Sequence, residues 1–338
     1  MKYSSRFFLY APLGLFLTLF LGVGVHWWLA ASTLSTQLEA MNGRDIAPGV
    51  TIRFSSRTIS GFPFTLDTEF RNMSFQIDTP HGPAEWRPQE FAMHALTYGR
   101  AETIFEAAGR QELRWTRDDG SKRTLVFDVG ALHASAIDDH TGLARFDLDL
   151  VGFGSKAFTA KRLQFHIRRN LPRASFDLVV SADDVRFSAK DSPNLGNRIV
   201  TARFEGVISQ AKSFDALRAG AERWTGAVEH WRKADGTLHV DSLWLKWPEM
   251  TTGGQGTLSL DNAHRPLGAL NFKITGTADF QKRAAEQHLA RGPKAGLASA
   301  LLDRVTAKGD RPVDVVLRFM NGVVTLNSEP ADTLAPLY

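Results

Sequence analysis

Residues 144–152 read ARFDLDLVG, and their order decides the fold. Ala144, Phe146, Leu148 and Leu150 alternate with Arg145, Asp147 and Asp149. A period of two puts the apolar side chains on one face of a strand and the charged ones on the other. The same alternation extends outward in both directions. Towards the N-terminus it runs through Val50, Ile52 and Phe54, then Phe64 and Leu66, then Phe70, Phe75 and Ile77, then Leu125, Phe127 and Val129. Towards the C-terminus it continues in Leu163, Phe165 and Ile167, in Phe176, Leu178 and Val180, and in Ala202 and Phe204. Leu258 and Leu260 follow, then Leu270, Phe272 and Ile274. The series closes with Val313, Val315, Leu317 and Phe319, and Asn321-Gly322 marks a hairpin turn into Val323–Leu326.

One apolar and one polar face, repeated this often, means antiparallel sheet covered on a single side. A long sheet of that kind must close, stack or curl. The expected fold is therefore mainly β with a few helices: an elongated, curved antiparallel sheet, a groove or half-barrel, with helices packed against it. Candidate residues for the apolar groove or core are Phe64, Leu66, Phe70, Phe127, Phe146, Leu148, Phe165 and Phe272. Two helical stretches interrupt the strands. Ser213 caps an expected helix to about Lys233, with Leu217, Trp224, Val228 and Trp231 on one face. A second, Asp279 to Lys308, is broken at Gly292-Pro293. Gly130 to Gly152 and Gly256 to Gly276 also resemble each other, each a strand, a polar turn and three alternating apolar positions ending on glycine.

The N-terminus has a different character. Phe7 to Ala31 (FFLYAPLGLFLTLFLGVGVHWWLAA) contains no Asp, Glu, Lys or Arg. As a helix it would span about 37 Å, enough for the ~30 Å hydrocarbon core. The anchor residues include Phe8, Leu15, Phe16, Leu19 and Phe20, with Trp27 and Trp28 where an interfacial aromatic belt belongs. A cleaved signal peptide is the competing reading, but its apolar region would be shorter, about 7–15 residues. Lys2 and Arg6 face no positive charge until Arg44, so the positive-inside rule keeps the N-terminus in the cytoplasm. The expected organisation is a cytoplasmic N-terminus (1–6), a transmembrane helix (7–31), a juxtamembrane helix and linker (32–48) and a periplasmic β-rich domain (49–338). The chain is expected to be single-pass in the inner membrane.

Composition narrows the chemistry. The chain of 338 residues has 23 phenylalanines against 4 tyrosines, which suits an oily sheet face; an ordinary sandwich core is the alternative. The net charge is +4, but no acid precedes Glu39, and beyond Arg6 there remain 38 basic against 36 acidic residues. That balance is no footprint for nucleic acid. There is no cysteine, so disulfides, thiolate nucleophiles and cysteine-based metal sites are excluded. Gly253-Gly254-Gln255-Gly256 lacks the Lys-Ser/Thr of a phosphate-binding loop. Asp138-Asp139-His140, Asp118-Asp119-Gly120 and Asp183-Asp184 are expected to form turns, and His166 to face solvent. The basic run Lys161, Arg162, Arg168, Arg169 and Arg173 is expected on a charged sheet face. No catalytic residue, metal or cofactor is expected, and the chain does not look like an enzyme.

Three stretches together carry a resemblance: Ser60-Gly-Phe-Pro-Phe-Thr-Leu66; Trp244-Leu-Lys-Trp-Pro248 through Gly256-Thr-Leu-Ser-Leu-Asp261 to Arg265-Pro-Leu-Gly268; and Asn321-Gly-Val-Val-Thr-Leu326 with Ala335-Pro336-Leu337. With the anchor, they resemble the bacterial family known as domain of unknown function 2125, which implies no activity and no catalytic residues. The glycine-bounded strands also look like those of AsmA-like envelope proteins. That resemblance implies an anchored, curled sheet used as an apolar groove in lipid traffic. The functional expectation is a membrane-anchored periplasmic protein binding a lipid or other amphiphile. The alternative is a non-enzymatic scaffold or assembly factor whose partners are envelope proteins. Gly61-Phe62-Pro63-Phe64 is expected to turn the chain between Val50–Ile59 and the next strand, with Phe64 on the apolar face beside Leu66; the alternative is that Phe62 and Phe64 form an exposed lip that ligand or membrane touches.

Overall fold

The computed structural model describes residues 5–79, 82–98, 102–117, 119–188, 197–276 and 312–338, with the backbone alone for 5–9. The expected helix at 279–308 lies outside the described residues. The chain opens with one unbroken helix, α1 (Ser5–Met41). Its apolar stretch is long enough to cross a membrane. Short strands follow: β1 (Asp45–Ala47), β2 (Val50–Arg53), β3 (Ser56–Ser60), β4 (Thr65–Arg71) and β5 (Ser74–Thr79). Long ones come next: β6 (Gly82–Leu96), β7 (Glu102–Thr116), β8 (Lys122–Asp139), β9 (Gly142–Ser155), β10 (Phe158–Asn170), β11 (Ser175–Phe187) and β12 (Arg198–Ile208). A 3-10 turn (Ala211–Phe214), α2 (Asp215–Arg218) and α3 (Trp224–Lys233) precede β13 (Leu238–Lys246), β14 (Met250–Leu260) and β15 (Pro266–Gly276). The last strands are β16 (Val313–Met320), β17 (Val323–Leu326) and β18 (Glu329–Thr333).

All these strands belong to one open antiparallel sheet, not closed into a barrel. From β6 to β18 each strand pairs with the one before it, a long meander. At the other end β6 is long enough to pair with two strands on one edge: β5 along its first residues and β4 along its last. β2 extends the sheet beyond β5, and β3 beyond β4.

The expected Val50–Ile59 strand is two strands, because Phe54 turns inward at the break and its backbone bonds the Asn42 side chain instead. Asp45–Gly49, expected as a link, forms β1 and a tight turn into β2. The expected helix from Ser213 is broken: Gly220, at φ +67, ends the first piece, and no side chain caps it at Ser213. Asp183-Asp184 is not a turn but lies within β11, where Asp184 takes φ +47 and pairs with Arg186 and Arg198.

Register gives the sheet its character. Directly paired residues share a face, so the pairings trace rows across the strands. One row runs Thr68, Met93, Phe105, Ala134, Leu148, Phe165, Val180, Phe204, Leu243, Gly254, Phe272, Val315. A neighbouring row begins Phe70, Phe91, Ala107, Leu132, Leu150, Leu163 and continues Ala182, Ala202, Leu245, Thr252, Ile274, Val313. On the other flank lie Leu66, Ala95, Thr103, Ala136, Phe146, Ile167, then Leu178, Gly206, Val240, Gly256, Leu270, Leu317. Apart from three threonines these positions are apolar or glycine, and none is charged. At about 4.8 Å per strand, twelve strands make an apolar strip roughly 50 Å long.

Five adjacent strands break the two-residue period at the same level. There the inward residues lie three apart: Val129 and Leu132, Leu150 and Phe153, Ala160 and Leu163, Ala182 and Val185, Ile199 and Ala202. Gly152, at φ +68, and Asp184 supply left-handed residues for this kink line. Beyond it Phe127, Phe153, Phe158 and Phe187 stack in sequence, with successive ring centroids 5.1, 4.7 and 6.1 Å apart.

Candidate functional site: the apolar strip and its two ends

The strip is covered at its ends and half-open in the middle. At the first end α1 lays Leu34 and Leu38 onto Ile52, Phe54, Phe70 and Phe91. Arg57 fixes the helix there, its guanidinium donating to the Glu39 carboxylate (2.5 Å) and the Ser35 carbonyl (2.6 Å). At the far end Trp247, Met250, Ile274, Val313, Val315, Leu317 and Leu326 form a closed core. Between them, from β9 to β13, Phe146, Leu148, Phe165, Ile167, Leu178, Phe204 and Leu243 are all half-buried, and Val180 is 38% exposed. Five strands at about 4.8 Å give roughly 19 Å of open apolar surface.

Of the groove residues expected from sequence, Leu66 and Phe70 are core, and Phe127, Phe146, Leu148, Phe165 and Phe272 share the strip's side of the sheet, half-buried. Phe272 lies over Gly254, where a Cβ would meet its ring at 2.3 Å. That is the reason for glycine in the Gly253–Gly256 run. Phe64 is the correction. It is 56% exposed, not core, because it precedes the first paired residue of β4 and no neighbouring strand covers it. Its ring meets the ring of Tyr98 edge-on, with centroids 6.1 Å apart. The Gly61–Phe64 turn does join β3 to β4 as expected, with the Thr65 amide donating to the Gly61 carbonyl (2.9 Å).

A helical cap borders the open stretch. Phe214 of the 3-10 turn and Leu217 of α2, with Phe146, Ile167, Phe176 and Ile208, line a half-open pocket of about 320 Å³. The cap is held by Arg218, whose side chain is only 5% exposed. Its Nε donates to the Leu143 carbonyl (2.6 Å), Nη1 to Asp215 (2.8 Å), and Nη2 to Asp139 (3.0 Å). Asp139 also accepts from the Thr141 hydroxyl (2.6 Å) and amide (2.7 Å). The Thr141 hydroxyl, with Arg218 and Arg169 nearby, holds the Asp139 carboxyl down at about 2 despite the opposing effect of burial. Asp138-Asp139 thus ends β8 at a turn tied to the cap, and Arg169 joins this ion cluster rather than the open polar face. The sequence reading missed Phe176, Ile208, Phe214 and Arg218 as site residues. Phe214 and Leu217, three apart beside Arg218, were the signal available.

The opposite face is mostly polar, with Ile104, Val179 and Trp244 among its charged and hydroxyl residues. His94 donates to Asp67 (2.8 Å), His166 to Asp147 (2.7 Å), and Arg162 grips Asp149 with two bonds. The His94 bond holds the Asp67 carboxyl below the usual range, and the Arg162 bond does the same for Asp149. His166 is a paired member of this ladder.

The residues expected to form an anchor lie on α1, most of them exposed. Leu15, Phe16, Leu19, Phe20 and Trp28 are exposed, and Phe8 lies in α1 with its side chain outside the described residues. Trp27 instead turns to the sheet, its Nε1–H donating to the Thr65 carbonyl (2.8 Å).

A bacterial family profile, described as an uncharacterized protein conserved in bacteria (DUF2125), matches residues 27–331. The chain belongs to the DUF2125 family. The match begins at Trp27, which bonds the Thr65 carbonyl, so in this DUF2125 chain the family region takes in the packed end of the helix as well as the strands. A search of curated proteins finds no match.

Proposed function

We propose that this DUF2125 protein is an anchored envelope protein that binds one acyl chain of a lipid, or a similar amphiphile, along the middle of its apolar strip. The half-open stretch from β9 to β13 carries this reading. Its roughly 19 Å is close to the ~15 Å of hydrocarbon in one leaflet, half of the ~30 Å core. A scaffold's sheet would be expected to fill that stretch with its own side chains, leaving no half-exposed row. The pocket beneath Phe214 and Leu217 gives a chain end an apolar recess. The likeness to AsmA-like sheets points the same way by analogy of fold. The charges at Lys2 and Arg6 favour a cytoplasmic N-terminus and a periplasmic sheet.

Neighbouring residues of β11 test the reading. Val180 lies on the strip, whereas Val179 faces the polar side opposite Glu205. Native mass spectrometry of full-length protein in mild detergent should show bound lipid in the parent and in Val179→Lys, and little in Val180→Lys. Equal lipid in both variants, or none in the parent over several preparations, would sink the proposal.

A further inference from the structure

We infer that the Gly61–Phe64 turn, together with Leu96 and Tyr98, is a wedge seated in the leaflet nearest the sheet, in the bilayer that α1 crosses. The inference rests on α1 being a membrane span, and not on lipid occupying the strip.

Phe62 packs edge-on against two rings of α1: Phe20, with centroids 5.9 Å apart, and Trp27, at 5.8 Å. Those two residues are seven apart, about 10 Å along a helix. The turn is pinned at that height by the Trp27 bond to the Thr65 carbonyl and by His26, whose Nε2 lies 3.3 Å from the Thr97 carbonyl. The apolar run of α1 starts at Phe7, and about 20 residues cross a ~30 Å core, so the core ends close to residue 27. Lys2 and Arg6 on the other side oppose drawing the helix further through. Phe20 then lies about 10 Å inside the hydrocarbon, and a side chain resting on its ring is in, or at the edge of, the same medium.

The exposed residues around this point fit that medium. Phe62 is 46% and Tyr98 60% exposed, and Leu96, paired with Thr65, is exposed as well. No charge occurs from Gly61 to Thr65. In water such a cluster would be a liability; at a membrane boundary it is stabilising, with the tyrosine hydroxyl free to reach the headgroups. Phe64 also continues the register of Leu66, Thr68 and Phe70, so the wedge places one end of the apolar strip at the lipid surface.

The cysteine-free sequence makes the test clean. Phe64→Cys, Tyr98→Cys and, as an exposed control on β8, Lys122→Cys would each carry one nitroxide in the full chain. The proteins would be reconstituted into phosphatidylethanolamine–phosphatidylglycerol vesicles. Spin labels at positions 64 and 98 should collide several-fold more with oxygen, relative to a water-soluble nickel chelate, than the label at 122. Nickel accessibility at 64 and 98 equal to that at 122 would overturn the inference, as would shielding from both reagents. Two independent sites guard against one variant failing to fold. Depth of insertion and co-purification of lipid are separate readouts, so either idea can fail while the other stands.

Discussion

At the scale of single residues, Phe64 and Phe70 differ in one respect that alternation does not record. Both belong to the inward register of β4, but Phe70 has β3 and β6 on either side and Phe64 has neither as a ladder partner. Alternation says which side a residue faces, and only the strand pairing says whether anything lies above it. Phe70→Ala should cost about 3–5 kcal/mol, as expected for a buried phenylalanine, whereas Phe64→Ala should stay within about 0.5 kcal/mol. Melting curves of the full chain in detergent distinguish the two. Arg218 was illegible for a related reason: its partners Leu143 and Asp139 lie far away in sequence. The pH dependence of stability reports on that cluster. The folded pKa of Asp139 is depressed, so its contribution is present above the usual carboxylate range and is lost as pH falls towards about 2. Asp139→Asn should be less stable at neutral pH, yet lose less stability between about pH 4 and pH 2, as read by denaturant titration at each pH.

At the scale of elements, the period-two reading found most long strands because their inner and outer faces differ so sharply. It did not find the kink line. Leu125, Phe127 and Val129 look out of phase with Ala134 and Ala136 until a three-residue step joins them. Gly152→Ala should cost about 1–2 kcal/mol because an L side chain must sit at positive φ. Gly154→Ala, with open space around its Cβ and an ordinary strand backbone, should be near neutral. Chemical denaturation of the two variants measures the difference. The long helix was legible as an apolar run with a short continuation, but its packing onto the sheet was not. α1 does not hand over to a flexible link, since Ala31, Leu34 and Leu38 continue the same helix into the core of the sheet. Leu38→Ala should therefore destabilise the sheet domain by about 2–5 kcal/mol, although it lies just after the membrane-spanning stretch. A denaturation midpoint unchanged from the parent would show that the helix and sheet are independent.

At the scale of the molecule, the one-sided strip was legible in nine of its twelve strands, where alternation was read; β6, β7 and β13 were not read from it. The contact between Arg223, just before α3, and Asp78 of β5 (3.3 Å) was not legible, because it joins parts of the chain that no local pattern connects. If the sheet lies in the periplasm, a phosphatase reporter fused after Tyr338 will be active, and the full chain will stay with membranes after an alkaline wash. An inactive reporter would reverse the topology.

The meander also bears on how such a sheet is assembled. Beyond β6 each new strand pairs with the strand just completed, so no early strand waits for a distant partner. A chain threaded through a membrane with its N-terminus held can lay down strands in the order in which they emerge, most hairpins closing a short loop at small entropic cost; the steps from β12 to β13, which carries the helical cap, and from β15 to β16 are longer. Only the growing edge is then unpaired at any moment, which limits the time an oily half-built face is offered to other chains.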